Sequence, residues 1–187
     1  MLHPAYPIAT ERLLLRPLTT GDVDDLYAYY SRPEVTRYLY WGPSSRAEMA
    51  QWLAQRADRP ALLAEGDVLS LAMVLLETGT MVGNVILKWL SAQHMQGETG
   101  FVLHPDHHGR GLAGEAARVM LRLGFEELHL HRIVGSCDAR NKASARVMEK
   151  LGMRREAHLR ENEFVKGEWT DEYLYAMLAT EWAAAQG

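Results

Sequence analysis

A single cysteine, Cys137, stands in the whole chain, which excludes an internal disulfide and the stapled scaffolds of small secreted domains. Basic residues are not in surplus either. The 20 Lys and Arg face 24 Asp and Glu, a net charge of −4, so the clustered positive charge of a nucleic-acid binder is missing. Long apolar runs are also missing: the most apolar stretch, Val68–Leu76, falls well short of the roughly 20 residues that cross a bilayer. The start, MLHPAYPIATER, has no basic segment followed by an apolar core, so no secretory leader is expected and a cytoplasmic location is. No repeat, low-complexity tract or Gly/Ser/Pro linker interrupts the 187 residues, and one domain over 1–187 is the expectation.

What is present is ordinary globular material, 48% hydrophobic and 24% charged. Arg12–Leu18 reads as a first strand, and Asp22, Val23, Leu26, Tyr27 and Tyr30 follow at helical spacing. Ser44 or Ser45 with Glu48 signals a capped second helix through Trp52 and Leu53. The segments 67–77 and 81–91 read as strands joined by Thr78-Gly79-Thr80, and 96–104 as a third strand ended by Pro105. A helix over 112–128, a strand over 132–138, a helix over 142–151 and strands near 154–165 and 170–178 complete the order. It predicts an α/β or α+β fold, a mixed sheet with helices on both sides.

The most informative segment is FVLHPDHHGRGLAGEA, Phe101–Ala116: a strand, a polar loop, Gly109, Gly111 and Gly114, and a helix. Main-chain N–H groups at such a helix start lack internal partners and carry partial positive charge, so they suit phosphate oxygens. A P-loop would need Lys and Ser/Thr after the last glycine, and Glu115-Ala116 stands there instead. The glycines also fit G-x-G-x-x-G, with Asp138 ending a later strand where a ribose-binding acid would sit. Yet Pro105–His108 separate the strand from the glycines, and no further βα units follow.

A third reading accounts for more of the chain. His108-Gly109-Arg110-Gly111-Leu112-Ala113 resembles the [Gln/Arg]-x-x-Gly-x-[Gly/Ala] signature of the GNAT superfamily of acetyl-CoA-dependent N-acetyltransferases, with His108 in place of Gln or Arg. Asn141 to Met153, NKASARVMEKLGM, resembles the superfamily's N-x-x-S-x-x-V-x-E-K-L-G-F segment. The opening Thr10–Arg16 and the late Gly167–Asp171 are similar to the branch that acetylates the N-termini of ribosomal proteins. The resemblance runs from about residue 10 to 178 and implies the GNAT fold: a single, mostly antiparallel mixed sheet whose central strands splay, flanked by helices. It implies acetyl transfer from acetyl-CoA to a primary amine, with a protein N-terminal α-amino group as one acceptor. The competing expectation is a non-catalytic acyl-CoA sensor or interaction module.

The resemblance also implies roles. Phe101, Val102 and Leu103 would offer main-chain groups to the pantetheine arm, with an N–H near Val102 or Leu103 polarising the acetyl carbonyl. His108, Gly109, Arg110, Gly111, Leu112, Ala113 and Gly114 would hold the pyrophosphate. Asn141, a natural N-cap, would also bond the CoA arm. Glu98, three residues before Phe101, is the candidate general base. The family's usual tyrosine acid is replaced by Met148, leaving Ser144 as the expected proton donor to the thiolate and Tyr173 and Tyr175 as weaker candidates. No metal is expected, although His104, His107 and His108 cluster near Asp106 without a cysteine. Cys137 reads as a small core residue. Trp41 and Trp169 are candidates for a substrate groove. No nucleic-acid or membrane partner is expected; if the chain self-associates, a homodimer is the commonest form.

Overall fold

A computed structural model describes residues 1–57 and 59–186. Its strands form one eight-stranded sheet in the order β1-β2-β3-β4-β5-β6-β8-β7. They are β1 (Ile8–Ala9), β2 (Leu13–Pro17), β3 (Val68–Leu75), β4 (Met81–Ser91), β5 (Gln96–Leu103), β6 (Arg132–Asp138), β7 (Arg154–Val165) and β8 (Glu168–Leu178). Helices α1 (Val23–Tyr30), α2 (Pro33–Thr36) and α3 (Arg46–Ala54) lie between β2 and β3. Helix α4 (Leu112–Arg122) links β5 to β6, α5 (Lys142–Lys150) links β6 to β7, and α6 (Ala179–Ala184) ends the chain. No helix among the described residues is long and apolar enough to cross a membrane.

Both faces of the sheet are covered, and the sequence of β3 shows why. Leu69, Leu71, Met73 and Leu75 join the core shared with α4, while Ala72 and Val74 join the core shared with α1 and α3. A strand buried on both sides is apolar along nearly its whole length; in β3 the buried Ser70 is the exception. Helix α4 contributes Leu112, Ala116 and Met120 from one stripe, all fully buried; burying a leucine contributes roughly 1.5–3 kcal/mol. Helix α3 starts at the expected cap, with the Glu48 N–H donating to Ser45 Oγ (3.3 Å) and the Ser45 N–H donating to Glu48 Oε2 (2.7 Å).

Three local features differ from the sequence reading. The helix expected over 112–128 is α-helical only to Arg122 and continues as a wider turn, with the Leu128 N–H donating to Leu123 O. That turn presses Gly124 against β6, where a Cβ would stand 2.5 Å from Ile133 Cδ1. Strand β1 and helices α2 and α6 were not foreseen; each is too short to show a period. The last hairpin is tighter than expected, because Lys166 (φ 51°) and Gly167 (φ 89°) alone connect β7 to β8, a two-residue left-handed turn.

All neighbouring strands are antiparallel except β5 and β6, which run parallel and pair only from Gln96–Glu98 to Arg132–Val134. Beyond that point β5 stays with β4 as far as Leu103, while β6 stays with β8 as far as Asp138. The two strands therefore part in a V. At its base Gly135 makes room for α5: a Cβ there would stand 2.9 Å from Met148 Sδ.

Candidate active site

The V leads into a cavity of about 350 Å³ on the face of the sheet that carries α1 and α3. Ile86, Glu98 and Val102 form part of its floor, and Tyr40, Trp41 and Glu163 part of its walls. Deeper in, the buried Asn84 accepts hydrogen bonds from the Tyr29 (2.9 Å) and Tyr30 (3.1 Å) hydroxyls. The tip of the β7–β8 hairpin crosses to α2, where Lys166 Nζ donates to Thr36 O (2.7 Å) and Arg37 O (2.9 Å).

Glu98 sits on the last paired residue of β5 before the strands diverge. Burial pushes its carboxyl above the usual range, Lys88 on β4 pulls it back, and Glu172 pushes it up again. No hydrogen-bond donor among the described residues reaches that carboxylate. A partly buried, unpartnered carboxylate with a raised pKa is a better proton acceptor than an exposed one.

From Glu98 the strand runs along the V to Leu103, a span of about 17 Å at ~3.3 Å per residue. Main-chain groups alternate sides along a strand. The His104 N–H donates to Val82 O on β4 (2.7 Å), so the groups of Val102 also face β4. Those of Phe101 and Leu103 face the opening. The expectation is thus corrected for the Val102 main chain, whose role is to hold β4; its side chain lines the cavity.

After β5 the chain turns through Pro105–His107 into the glycine loop. His108 Nε2 donates to Leu103 O (3.0 Å), tying the loop to the strand end. Gly109 (φ 76°) and Gly111 (φ 80°) adopt left-handed conformations that glycine takes without steric cost. Among the described residues no acceptor meets the N–H groups of Gly109, Arg110, Gly111, Leu112, Ala113 or Gly114. A Cβ at Gly109 would meet nothing within 4 Å, so the turn is open as well as rich in donors. These features fit a diphosphate.

Residues 12–154 match the Acetyltransferase (GNAT) domain family. The chain belongs to this GNAT family. It is 32% identical over 176 residues to the uncharacterized N-acetyltransferase YnaD of Bacillus subtilis, covering 94% of this chain and 98% of that one. The crystal structure of a GNAT-family acetyltransferase from Bacillus anthracis superposes with a TM-score of 0.83 at 32% identity, over 93% of this chain and 99% of the other. Shorter matches reach the putative ribosomal N-acetyltransferase YdaF of B. subtilis (30% over 108 residues, 58% of this chain and 59% of YdaF) and the spermidine N(1)-acetyltransferase of Escherichia coli (29% over 91 residues, 49% of each). The protein is an acyltransferase with the GNAT fold, the family that draws on acetyl-CoA.

On this GNAT scaffold the second motif is brought to the V. Asn141 Oδ1 accepts the Ser144 N–H (3.1 Å), capping α5. Ser144 and Asn141 both line the cavity. Ser144 lies against Cys137, whose thiol burial pushes up to about 11 although the serine hydroxyl draws it down. That thiol stays protonated at neutral pH, in keeping with a packing role.

Other candidates lie elsewhere. Tyr175 is fully buried and donates to Glu149 Oε1 (2.9 Å), and Tyr173 packs beneath the Lys142 ammonium and the Arg155 guanidinium; neither lines the cavity. Trp41 does, while Trp169 is 60% exposed and packs on Phe164 outside it. The His104 and His107 rings meet edge to face. Arg110 reaches His107 Nδ1 (3.2 Å). Sequence reasoning missed Tyr40, Glu163 and Glu172, which reach the cavity from a loop and the last hairpin. Nothing in their local spacing signals that position.

Proposed function

We propose that this GNAT enzyme transfers an acetyl group to a primary amine held in the cavity, with Glu98 as general base. The observation that carries the reading is the placement of an unpartnered, partly buried carboxylate where β5 and β6 part, between the cavity and the V. When bound, acetyl-CoA supplies a thioester acetyl group and a thiolate leaving group. The Gly109–Gly114 amides, with His108 fixing the loop to β5, would hold its diphosphate. The main-chain groups of Phe101 and Leu103 and the Asn141 side chain would bind the pantetheine arm.

Glu98 takes a proton from the incoming ammonium, leaving the nitrogen lone pair free. The N–H of Leu103 or Phe101, on the side of β5 turned away from β4, would support charge on the acetyl oxygen. Ser144, which lines the cavity, would donate toward the departing sulfur, since Met148, a residue without an acidic proton, stands at the family's usual tyrosine position and is buried beneath Gly135.

The cavity lining is of mixed charge, with Glu98, Asp138, Glu163, Glu168, Asp171 and Glu172 against Arg37, Arg56, Arg140 and Lys166; the small acidic excess suits a cationic acceptor. Two acceptors are consistent with it: a protein N-terminal α-amino group, supported by the short YdaF match, and a small polyamine, supported by the spermidine acetyltransferase match. An α-amino group, with a reference pKa near 8 against about 10.4 for lysine, asks less of a carboxylate base. A CoA-release assay over N-terminal peptides, polyamines and amino acids tests the proposal. Saturable turnover with at least one amine class is expected; acetyl-CoA binding without turnover on any of them would favour the non-catalytic sensor.

A further inference from the structure

We propose that Arg12 and Glu115 are positioning residues that set the diphosphate-binding turn and keep its charge favourable; the inference rests on the acetyl-CoA reading above. Thr10–Arg12 form the connection between β1 and β2 at the edge of the sheet, remote in sequence from the loop. Glu115 lies in the first turn of α4. Its carboxylate accepts from Thr10 Oγ1 (2.6 Å), the Arg12 N–H (2.8 Å) and Arg12 Nε (2.8 Å), with Arg12 Nη2 at 2.7 Å. The remaining guanidinium arm, Nη1, donates to Arg110 O (2.6 Å).

That last bond has a consequence for the amide on the same peptide plane. In a trans peptide the carbonyl and the following N–H point in opposite directions. Pinning Arg110 O onto Arg12 therefore turns the Gly111 N–H away from Arg12, toward the open side of the loop. Gly111, which bounds this plane on one side and is left-handed (φ 80°), would otherwise leave the plane freer to rotate.

The charge argument is independent. Glu115 shares the helix turn that offers its amides to an anion, and a bare carboxylate there would repel a diphosphate. Thr10 and Arg12 overcome the effect of burial and hold its carboxyl below the usual range, so it stays ionised and relies on Arg12 for neutralisation. Arg12 is 42% exposed and Glu115 14%. Such a half-exposed pair adds little to stability, which leaves orientation of the loop as its principal effect and makes variants that fold a reasonable expectation.

The test compares acetyl-CoA with acetyl-pantetheine, a thioester that lacks the diphosphate, in wild type, Arg12→Ala and Arg12→Ala/Glu115→Gln, with CoA binding followed by titration calorimetry. Arg12→Ala should raise the Kd for CoA and the KM for acetyl-CoA about tenfold, with kcat and the kcat/KM for acetyl-pantetheine held within about twofold. The double variant should recover at least about threefold of the lost affinity, because the unmasked carboxylate is gone. An unchanged Kd, an equal loss on both thioesters, or no recovery in the double variant overturns the inference. Wild-type protein that does not bind CoA overturns the acetyl-CoA reading itself, and this inference with it.

Discussion

Replacing Glu98 with glutamine removes a charge while keeping the side-chain volume, so it isolates the proton-accepting role. Positioned general bases contribute about 10²–10⁴-fold. An α-amino acceptor loses its proton comparatively easily, and Glu163 and Glu172 still line the cavity in the variant. A fall in kcat/KM of about 100-fold is therefore expected near neutral pH, at the low end of that range. The KM for acetyl-CoA should stay unchanged, because no Glu98 contact reaches the glycine loop. The acid limb of the kcat/KM profile should lie above the ordinary carboxylate range in wild type, since burial raises the Glu98 pKa. In Glu98→Gln that limb should give way to one set by the amine itself, moving the optimum upward. Lys88→Met removes the group that pulls this pKa down and should shift the wild-type limb to higher pH; Glu172→Gln should shift it lower.

Stability supplies a check with the opposite sign. A carboxyl whose folded-state pKa is raised binds more protons in the folded than in the unfolded state, so its effect on stability worsens as pH rises. At neutral pH Glu98→Gln should thus unfold at a higher Tm than wild type while being the slower enzyme. The assay is CoA thiol release from pH 5 to 10 beside thermal denaturation. Activity of Glu98→Gln within about twofold of wild type across that range, with an unmoved optimum, refutes the role assigned to this carboxylate.

Other substitutions probe the scaffold. Asp22→Asn removes an acceptor of Arg16 (2.6 and 2.8 Å) and the Thr19 N–H (2.7 Å) and should cost about 1–3 kcal/mol in urea unfolding. Arg16 and Thr19 outweigh burial and hold the Asp22 carboxyl low, so wild type should lose this contribution as pH falls below the usual carboxylate range, and the variant should not. Gly83→Ala would set a Cβ 2.3 Å from Val102 O, main chain that cannot swing aside, and should destabilise by roughly 1–3 kcal/mol. Lys166→Ala frees the hairpin tip from Thr36 and Arg37 and should raise the acceptor KM about three- to tenfold while sparing that of acetyl-CoA.

Features set by neighbours along the chain were legible in the sequence. The Ser45–Glu48 capping box, the period of α4, the apolar run of β3 and the glycines before α4 each express a preference acting over a few residues, and each element forms where that preference lies. The motif at Asn141–Met153 was legible for the same reason, since its cap and its buried stripe are local. Tertiary structure decided what depends on close approach between distant segments. The parting of β5 from β6 follows from their separate allegiance to β4 and β8, and a strand's own residues do not record which partner it leaves. Arg12 meets Glu115, Lys166 meets α2, and Glu163 and Glu172 meet the cavity only because the sheet brings remote residues together. Trp41 and Trp169 were equal candidates for a substrate groove; only the fold puts one in the cavity wall and the other outside. Local backbone preference could therefore specify the pieces and the open glycine turn, while the cavity and the charge balance around it arise from packing at long range.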